Sequence, residues 1–195
     1  MREYYEARAS EYDDWYLGRG LFATRERPGW KEELAALERA LASLPWAHTL
    51  DVACGTGFLT RHLPGEVVGL DQSPQMLEIA RKRVPAAAFV QGDALKLPFA
   101  DGAFERVFTA HFYGHLNRDE RTFFLEEAAR VAPELVVCDA ATRPDREREE
   151  TQERILEDGS AWQVYKRFFG AEELAAELGG GEILFSGEWF VVVRT

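Results

Sequence analysis

An open α/β fold, doubly wound around a mostly parallel sheet, is what this sequence predicts, and two stretches predict it. The first is Leu50-Asp-Val-Ala-Cys-Gly-Thr-Gly-Phe58, an apolar strand that runs into a glycine-rich turn. The second is Val67-Val-Gly-Leu-Asp71, an apolar strand ending in an acid 20 residues after Asp51. Strand, glycine turn and strand-terminal acid at this spacing form the layout of a nucleotide-type cofactor site in such a sheet. Gly55 and Gly57 remove β-carbons where the chain turns, so a ligand can approach the backbone and positive φ carries little strain. Asp71 stands where a carboxylate can accept hydrogen bonds from both hydroxyls of a ribose.

The remaining elements follow from local chemistry. Trp30 to Leu44 carries Leu34, Leu37, Leu41 and Leu44 on a helical stripe, and Pro45 ends it. The first strand spans about Thr49 to Ala53 and the second Val67 to Leu70. Between them a helix is expected from Phe58 to Leu63, its free N–H groups directed at the glycine turn. Ser73 followed by Pro74 reads as an N-cap with proline at the first helical position, opening a helix to about Val84. Strands are expected at Ala88 to Gln91, Arg106 to Ala110 and Leu135 to Cys138, with a helix from Arg118 to Val131. Another helix, Ala171 to Leu178, stops at Gly179-Gly-Gly181, and Glu182 to Val193 reads as a hairpin turning near Gly187. This alternation is that of one α/β unit.

Composition agrees with a single domain over residues 1–195: 46% hydrophobic and 12% aromatic residues argue against disorder. The net charge of −11 argues against nucleic acid as a partner, because phosphate neutralisation needs a basic surface. Arg81-Lys82-Arg83 is the best basic run, and it falls at a helix C-terminus, where cations complement the dipole. With no run of about 18 apolar residues, no membrane span is expected. The N-terminus lacks the apolar core of a signal peptide, so a cytoplasmic location is expected. Cys54 and Cys138 lack the spacing of a metal site or a disulfide framework, and both are expected to be reduced and buried.

The glycine turn narrows the cofactor. A dinucleotide site uses Gly-x-Gly-x-x-Gly, and here Thr60 holds the third position. No phosphate loop of the Gly-x-x-x-x-Gly-Lys type occurs. Asp51-Val-Ala-Cys-Gly-Thr-Gly, Leu70-Asp-Gln-Ser73, Gln91-Gly-Asp-Ala-Leu-Lys-Leu-Pro-Phe99 and Phe104 to His111 resemble, in order, four motifs of the class I S-adenosylmethionine-dependent methyltransferase family. That resemblance implies a Rossmann-like, seven-stranded sheet with a C-terminal antiparallel hairpin. It implies S-adenosylmethionine as methyl donor and S-adenosylhomocysteine as product; a small-molecule acceptor is expected because the stretch 142–169, where this fold commonly builds its substrate wall, is short. Asp71 with Gln72 would hold the ribose. Asp93, Ala94 and Leu95 would hold the adenine, with Met76 as an apolar wall. Asp51, Ala53, Gly55, Thr56, Gly57 and Ala110 would surround the methionine end.

Such chemistry asks the protein to align a nucleophile, exclude water and, for some acceptors, remove a proton. Candidates for these tasks lie in Thr109-Ala-His111-Phe-Tyr113-Gly-His115, at the carboxyl end of the fourth strand, where open sheets bind ligands. His111, close to the expected sulfonium, is the first candidate base or polarising group. Tyr113 is the second. His115 is a third candidate, with a structural bond to the loop backbone as its other reading. Tyr4, Tyr5, Tyr12, Trp15 and Tyr16 crowd residues 1–28, which are expected either to close over the cofactor, with Tyr5 and Tyr12 at its methionine end, or to pack on the sheet.

Residues 142–169 are the least family-like. Arg143 to Glu150 is a charged run expected to be a solvated helix face. Trp162, Tyr165, Phe168 and Phe169 either form a substrate wall or cover the sheet edge. Two other functions stay open at this point. One is a silent S-adenosylmethionine-binding module or partner subunit; the other is a nicotinamide dehydrogenase, disfavoured by Thr60 and Asp93. Sequence alone leaves monomer and dimer equally open.

Overall fold

A computed structural model describes residues 2–195. In chain order the elements are α1 (Arg2–Arg8), α2 (Asp14–Leu17), α3 (Trp30–Ala42), β1 (Ala47–Val52), β2 (Gly65–Asp71), α4 (Pro74–Arg83), β3 (Ala88–Gln91), β4 (Arg106–Ala110), α5 (Arg118–Val131), β5 (Glu134–Ala140), β6 (Glu149–Ile155), β7 (Ala161–Arg167), α6 (Ala171–Glu177), β8 (Glu182–Ser186) and β9 (Phe190–Arg194). Seven strands form one sheet in the order β3-β2-β1-β4-β5-β9-β8. The first five pair in parallel, and β9 runs antiparallel to both β5 and β8. This is the Rossmann-like, doubly wound sheet with a terminal hairpin that the sequence predicts. β6 and β7 form a separate antiparallel pair.

Alternate strand residues feed two cores, one on each face of the sheet. Val107, Val137, Val191 and Val193 point to the side covered by Phe124 and Ala128 of α5 and Leu174 of α6. Phe108, Val136, Cys138 and Val192 point to the side covered by Leu34, Leu37 and Leu41 of α3. Tyr16 and Phe58 stack in that second core with their ring centroids 4.1 Å apart. No helix among the described residues is long and apolar enough to cross a membrane.

Helix starts follow local chemistry. The Ser73 hydroxyl accepts from the Met76 N–H at 3.3 Å, with Pro74 at the first position of α4. Asn117 and Glu120 cap α5 reciprocally: the Asn117 side chain accepts from the Glu120 N–H at 3.0 Å, and Glu120 accepts from the Asn117 N–H at 2.8 Å.

Two expectations fail for stated reasons. Phe58 to Leu63 is not an α-helix; only one tight turn, Thr60–His62, forms. Pro64 follows at once, and six residues between Gly57 and Pro64 leave no room to propagate a helix. Hence no helix dipole points at the glycine turn. The charged run 143–150 is not helical either; it is a loop leading into β6. β6 alternates exposed and half-covered positions over its length, the pattern of a hairpin strand. Its pairing with β7, which the charged sequence conceals, decides the conformation.

Replacing the cap Asn117→Ala is expected to cost about 1 kcal/mol. For a chain of this size that lowers Tm by about 2–4 °C. Thermal unfolding followed by circular dichroism checks this; an unchanged Tm would contradict the capping role.

Candidate active site

A cleft of about 940 Å³ opens at the carboxyl ends of β1, β2 and β4. These ends flank the switch point, where crossovers from neighbouring strands leave in opposite directions. Gly55, Asp71 and Asp93 line one side, Ala110 and His111 the other, and the Tyr5 and Tyr12 rings the top.

Asp71 organises the first side. Its two carboxylate oxygens accept from the Gly55 N–H at 2.9 Å and from the Ser73 N–H at 2.8 Å. The glycine turn and the start of α4 are thereby tied to the end of β2. Burial pushes the Asp71 carboxyl up, while the N–H donors from Ser73, Gly55 and Gln72 draw it back. Gly55 has φ +55°, and a β-carbon there would stand 3.5 Å from the Tyr12 ring. At the outer rim Asp93 is exposed and accepts from the Leu95 N–H at 2.9 Å.

On the opposite side, His111 holds φ +55°, a conformation costly for a side chain with a β-carbon. Its ring is 9% exposed, and the Nε2 atom has no hydrogen-bond partner. Nδ1 lies 3.9 Å from Asp139, too far for a hydrogen bond but near enough for that charge to favour a proton on Nδ1. Burial holds the imidazole down at about 3, with Lys166, Arg8 and Arg154 adding to the effect and Asp139 opposing it. His111 is therefore neutral, with a buried ring nitrogen that has no partner. Across the cleft, burial raises the Tyr5 hydroxyl to about 12 and the Tyr12 hydroxyl further, so both phenols stay protonated donors.

Most residues that the sequence assigns to the cofactor line this cleft: Tyr5, Tyr12, Ala53, Gly55, Asp71, Gln72, and also Met76, Asp93, Ala94, Leu95, Ala110 and His111. His115 lines it too, with Nδ1 2.7 Å from the Tyr165 carbonyl oxygen. Four expected residues lie elsewhere. Asp51 sits in an adjoining small recess beside Tyr12 and Tyr16, takes the Thr60 hydroxyl at 2.6 Å and is raised by burial to about 7. Thr56 turns away to bond Asp13 at 2.6 Å and Arg83 at 2.8 Å. Gly57 faces α4, where a β-carbon would stand 3.4 Å from Ala80. Tyr113 is buried in the α5–α6 core, its hydroxyl 3.0 Å from Glu177, and so cannot serve as a base in the cleft. The N-terminal aromatics divide between the two expected roles: Tyr5 and Tyr12 roof the cleft, whereas Trp15 and Tyr16 join the sheet-face core.

A family model described as a methyltransferase domain matches residues 49–134. The demethylmenaquinone methyltransferase of Deinococcus radiodurans is 38% identical over 140 residues, covering 67% of this chain and 55% of that protein. The enzyme of the same name from Thermotoga maritima is 42% identical over 87 residues, covering 42% of this chain and 37% of that protein. DhpI, solved as a complex with SAM and HEP, is 28% identical with a TM-score of 0.76, covering 98% of this chain and 94% of DhpI. Residues 49–134 belong to the class I S-adenosylmethionine-dependent methyltransferase family.

Outside this methyltransferase domain lie residues that the sequence reading missed. Asp139, at the carboxyl end of β5, has no exposed surface. It pairs with the buried Lys166 of β7 and accepts from the Gly114 N–H at 2.7 Å. The hairpin is thereby anchored to the loop that carries His111 and His115. A strand-end acid in Leu-Val-Val-Cys-Asp was the one available signal, and Lys166 had none. None of Trp162, Tyr165, Phe168 and Phe169 lines the cleft: Trp162 packs with Tyr4, and Phe169 is in the core.

His111 should show no imidazole titration between about pH 5 and 8 by nitrogen-15 NMR; a midpoint near 6.5 would contradict its burial. An unfolded histidine binds a proton below about pH 6.5. The folded His111 excludes that proton down to about 3. Its contribution to stability is thus complete above pH 6.5 and is lost as pH falls toward 3. His111→Gln should flatten this part of the stability profile, by at most about 1.4 kcal/mol per pH unit.

Proposed function

We propose that this chain transfers a methyl group from S-adenosylmethionine to a small molecule. One observation carries the reading: the strand-end carboxylate of Asp71, clamped by the Gly55 and Ser73 N–H groups, faces a cleft of about 940 Å³ beside the glycine turn. The complexes of DhpI, with SAH in one and with SAM and HEP in another, support the same reading, as does the similarity to demethylmenaquinone methyltransferases.

The donor set fits the cofactor. Asp71 would accept the ribose hydroxyls on the lone pairs its two N–H partners leave free. Asp93 and the backbone at Ala94 would take the adenine edge, with Met76 and Leu95 against the ring. Gly55, Ala53 and Ala110 offer a side-chain-poor floor for the methionine end. When bound, S-adenosylmethionine supplies a sulfonium-activated methyl group. The chain's own residues then have positioning to do. Tyr5 and Tyr12 would donate from above while keeping water out, and neutral His111 would line the acceptor side without bringing a charge to it. A role for His115 as proton acceptor is less well supported, because its Nδ1 is engaged by the Tyr165 carbonyl group and burial holds the ring well below the usual imidazole range.

S-adenosylhomocysteine at about 100 times its Kd should stabilise the fold by about 2.7 kcal/mol. That corresponds to a rise in Tm of about 5–10 °C. NAD should give none; a shift with NAD and not with S-adenosylhomocysteine would refute the proposal. Asp71→Asn should weaken S-adenosylhomocysteine about tenfold or more in calorimetry, since a hydrogen bond to a charged acceptor contributes about 1.5–3 kcal/mol. Methyl transfer from labelled donor to a metabolite panel separates an enzyme from a silent binding module.

A further inference from the structure

The geometry points to an anion-binding subsite beside His111, built by Arg8 and Arg154, that holds a carboxylate or phosphoryl group of the methyl acceptor; the inference rests on the methyl-transfer reading and names its substrate class. Arg8 closes α1 and Arg154 lies on β6, yet both guanidinium groups converge on one atom. Arg8 Nη1 donates to the Tyr4 hydroxyl at 3.0 Å, and Arg154 Nη1 donates to the same oxygen at 3.3 Å. Both also lie over the Tyr4 ring, at 5.7 and 5.9 Å from its centroid. Arg8 is buried and Arg154 half-buried.

Two cations so placed repel each other, and burial raises the cost. Proteins normally meet it with a carboxylate. Here neither arginine takes part in any ion pair among the described residues. Arg25 and Arg146 are equally free of ion pairs and stack only on Phe22 and Phe168. All four belong to one positive region: Arg25 gives up its proton more easily through partial burial and through the nearness of Arg146, Arg154 and Arg8. In a chain of net charge −11 that concentration of unpaired arginines is unexpected.

The region adjoins the methyl-transfer side of the cleft. Arg8 stands over the Tyr12 ring at 4.9 Å, and Tyr12 lines the cleft. Tyr4 and Tyr5 are in edge contact at 4.9 Å, and Tyr5 meets the His115 ring at 6.3 Å. Arg8 and Arg154 both help to hold the buried His111 imidazole neutral. His111 itself lines the cleft, although its unpartnered Nε2 is buried. Arg154 also donates from Nε and Nη2 to the Gln152 amide oxygen at 3.1 and 2.9 Å, and an oxyanion would take the N–H groups that remain on the two guanidinium groups in charge-assisted hydrogen bonds.

Calorimetry on the full chain, saturated with S-adenosylhomocysteine, tests this with benzoate and methylphosphonate as probes and benzamide as the neutral control. At least one anion should bind saturably, and benzamide should not. Preference for benzoate assigns a carboxylate acceptor, preference for methylphosphonate a phosphoryl one. Arg154→Gln should weaken the preferred anion about tenfold or more and leave S-adenosylhomocysteine affinity unchanged. Arg8→Gln, if it folds, should do the same; Arg154→Lys should recover part of the affinity. Absence of binding by both anions, or equal binding to wild type and Arg154→Gln, overturns the subsite. Failure of S-adenosylhomocysteine itself to bind would instead refute the methyl-transfer reading.

Discussion

The side of the cleft opposite the cofactor residues depends on one buried carboxylate. Asp139 has no contact with water, and an isolated carboxylate in such a place is untenable. It is retained because three elements converge on it. Lys166 brings the β6–β7 hairpin, Gly114 brings the loop between β4 and α5, and the charge itself lies 3.9 Å from His111. Removing Lys166 would leave that charge unpaired, at a cost of about 3–5 kcal/mol. The pair thus does more than stabilise. It fixes the hairpin that carries Arg154 against the loop that carries His111 and His115, and so sets the distance between the cofactor residues and everything on the acceptor side.

Backbone strain marks the same place. Ala53 and His111 are the only described non-glycine residues with positive φ. They follow β1 and β4, neighbouring strands at the switch point, and both line the cleft. Each is held by ladder bonds that continue past its strand: the Cys54 N–H donates to Leu70 at 3.0 Å and the His111 N–H to Cys138 at 2.9 Å. The sheet keeps its pairing while two residues turn into the cleft. Such strain persists only where the surroundings over-determine it.

Legibility in the sequence followed the range of the interactions. β3, β4 and α5 lie at the expected residues, and the Ser73–Pro74 start of α4 is where the sequence puts it, because such signals are local. Asp71 was legible because its partners, Gly55 and Ser73, lie on the same βαβ segment. What stayed hidden was set by distant partners. β6 forms because β7 pairs with it, against the helical reading of its charges. Lys166 meets Asp139 across 27 positions, and Arg154 meets Tyr4 across 150. Thr56 and Gly57 show the opposite error. Both stand in a recognisable motif, but one bonds Asp13 and Arg83 while the other accommodates α4. A motif fixes where the backbone turns, and the surroundings decide which side chains of the turn face the ligand.

Charge is divided across the cleft, and the division bears on chemistry. Acids, Asp71 and Asp93, line one side, whereas neutral His111 lies on the other and the protonated phenols Tyr5 and Tyr12 roof the cleft. The rim acid Glu120 is tied to the Asn117 backbone. None of the groups on the acceptor side is a ready base near neutral pH, since a buried imidazole at about 3 gains little by taking a proton. An acceptor that arrives as an oxyanion needs no base, because its lone pair is already available. The unpaired arginines and the weakly basic histidine therefore have one physical reading in common. Burial keeps His111 neutral, with Lys166, Arg8 and Arg154 adding to it, and at the proposed subsite the same positive potential would favour an acceptor that carries negative charge.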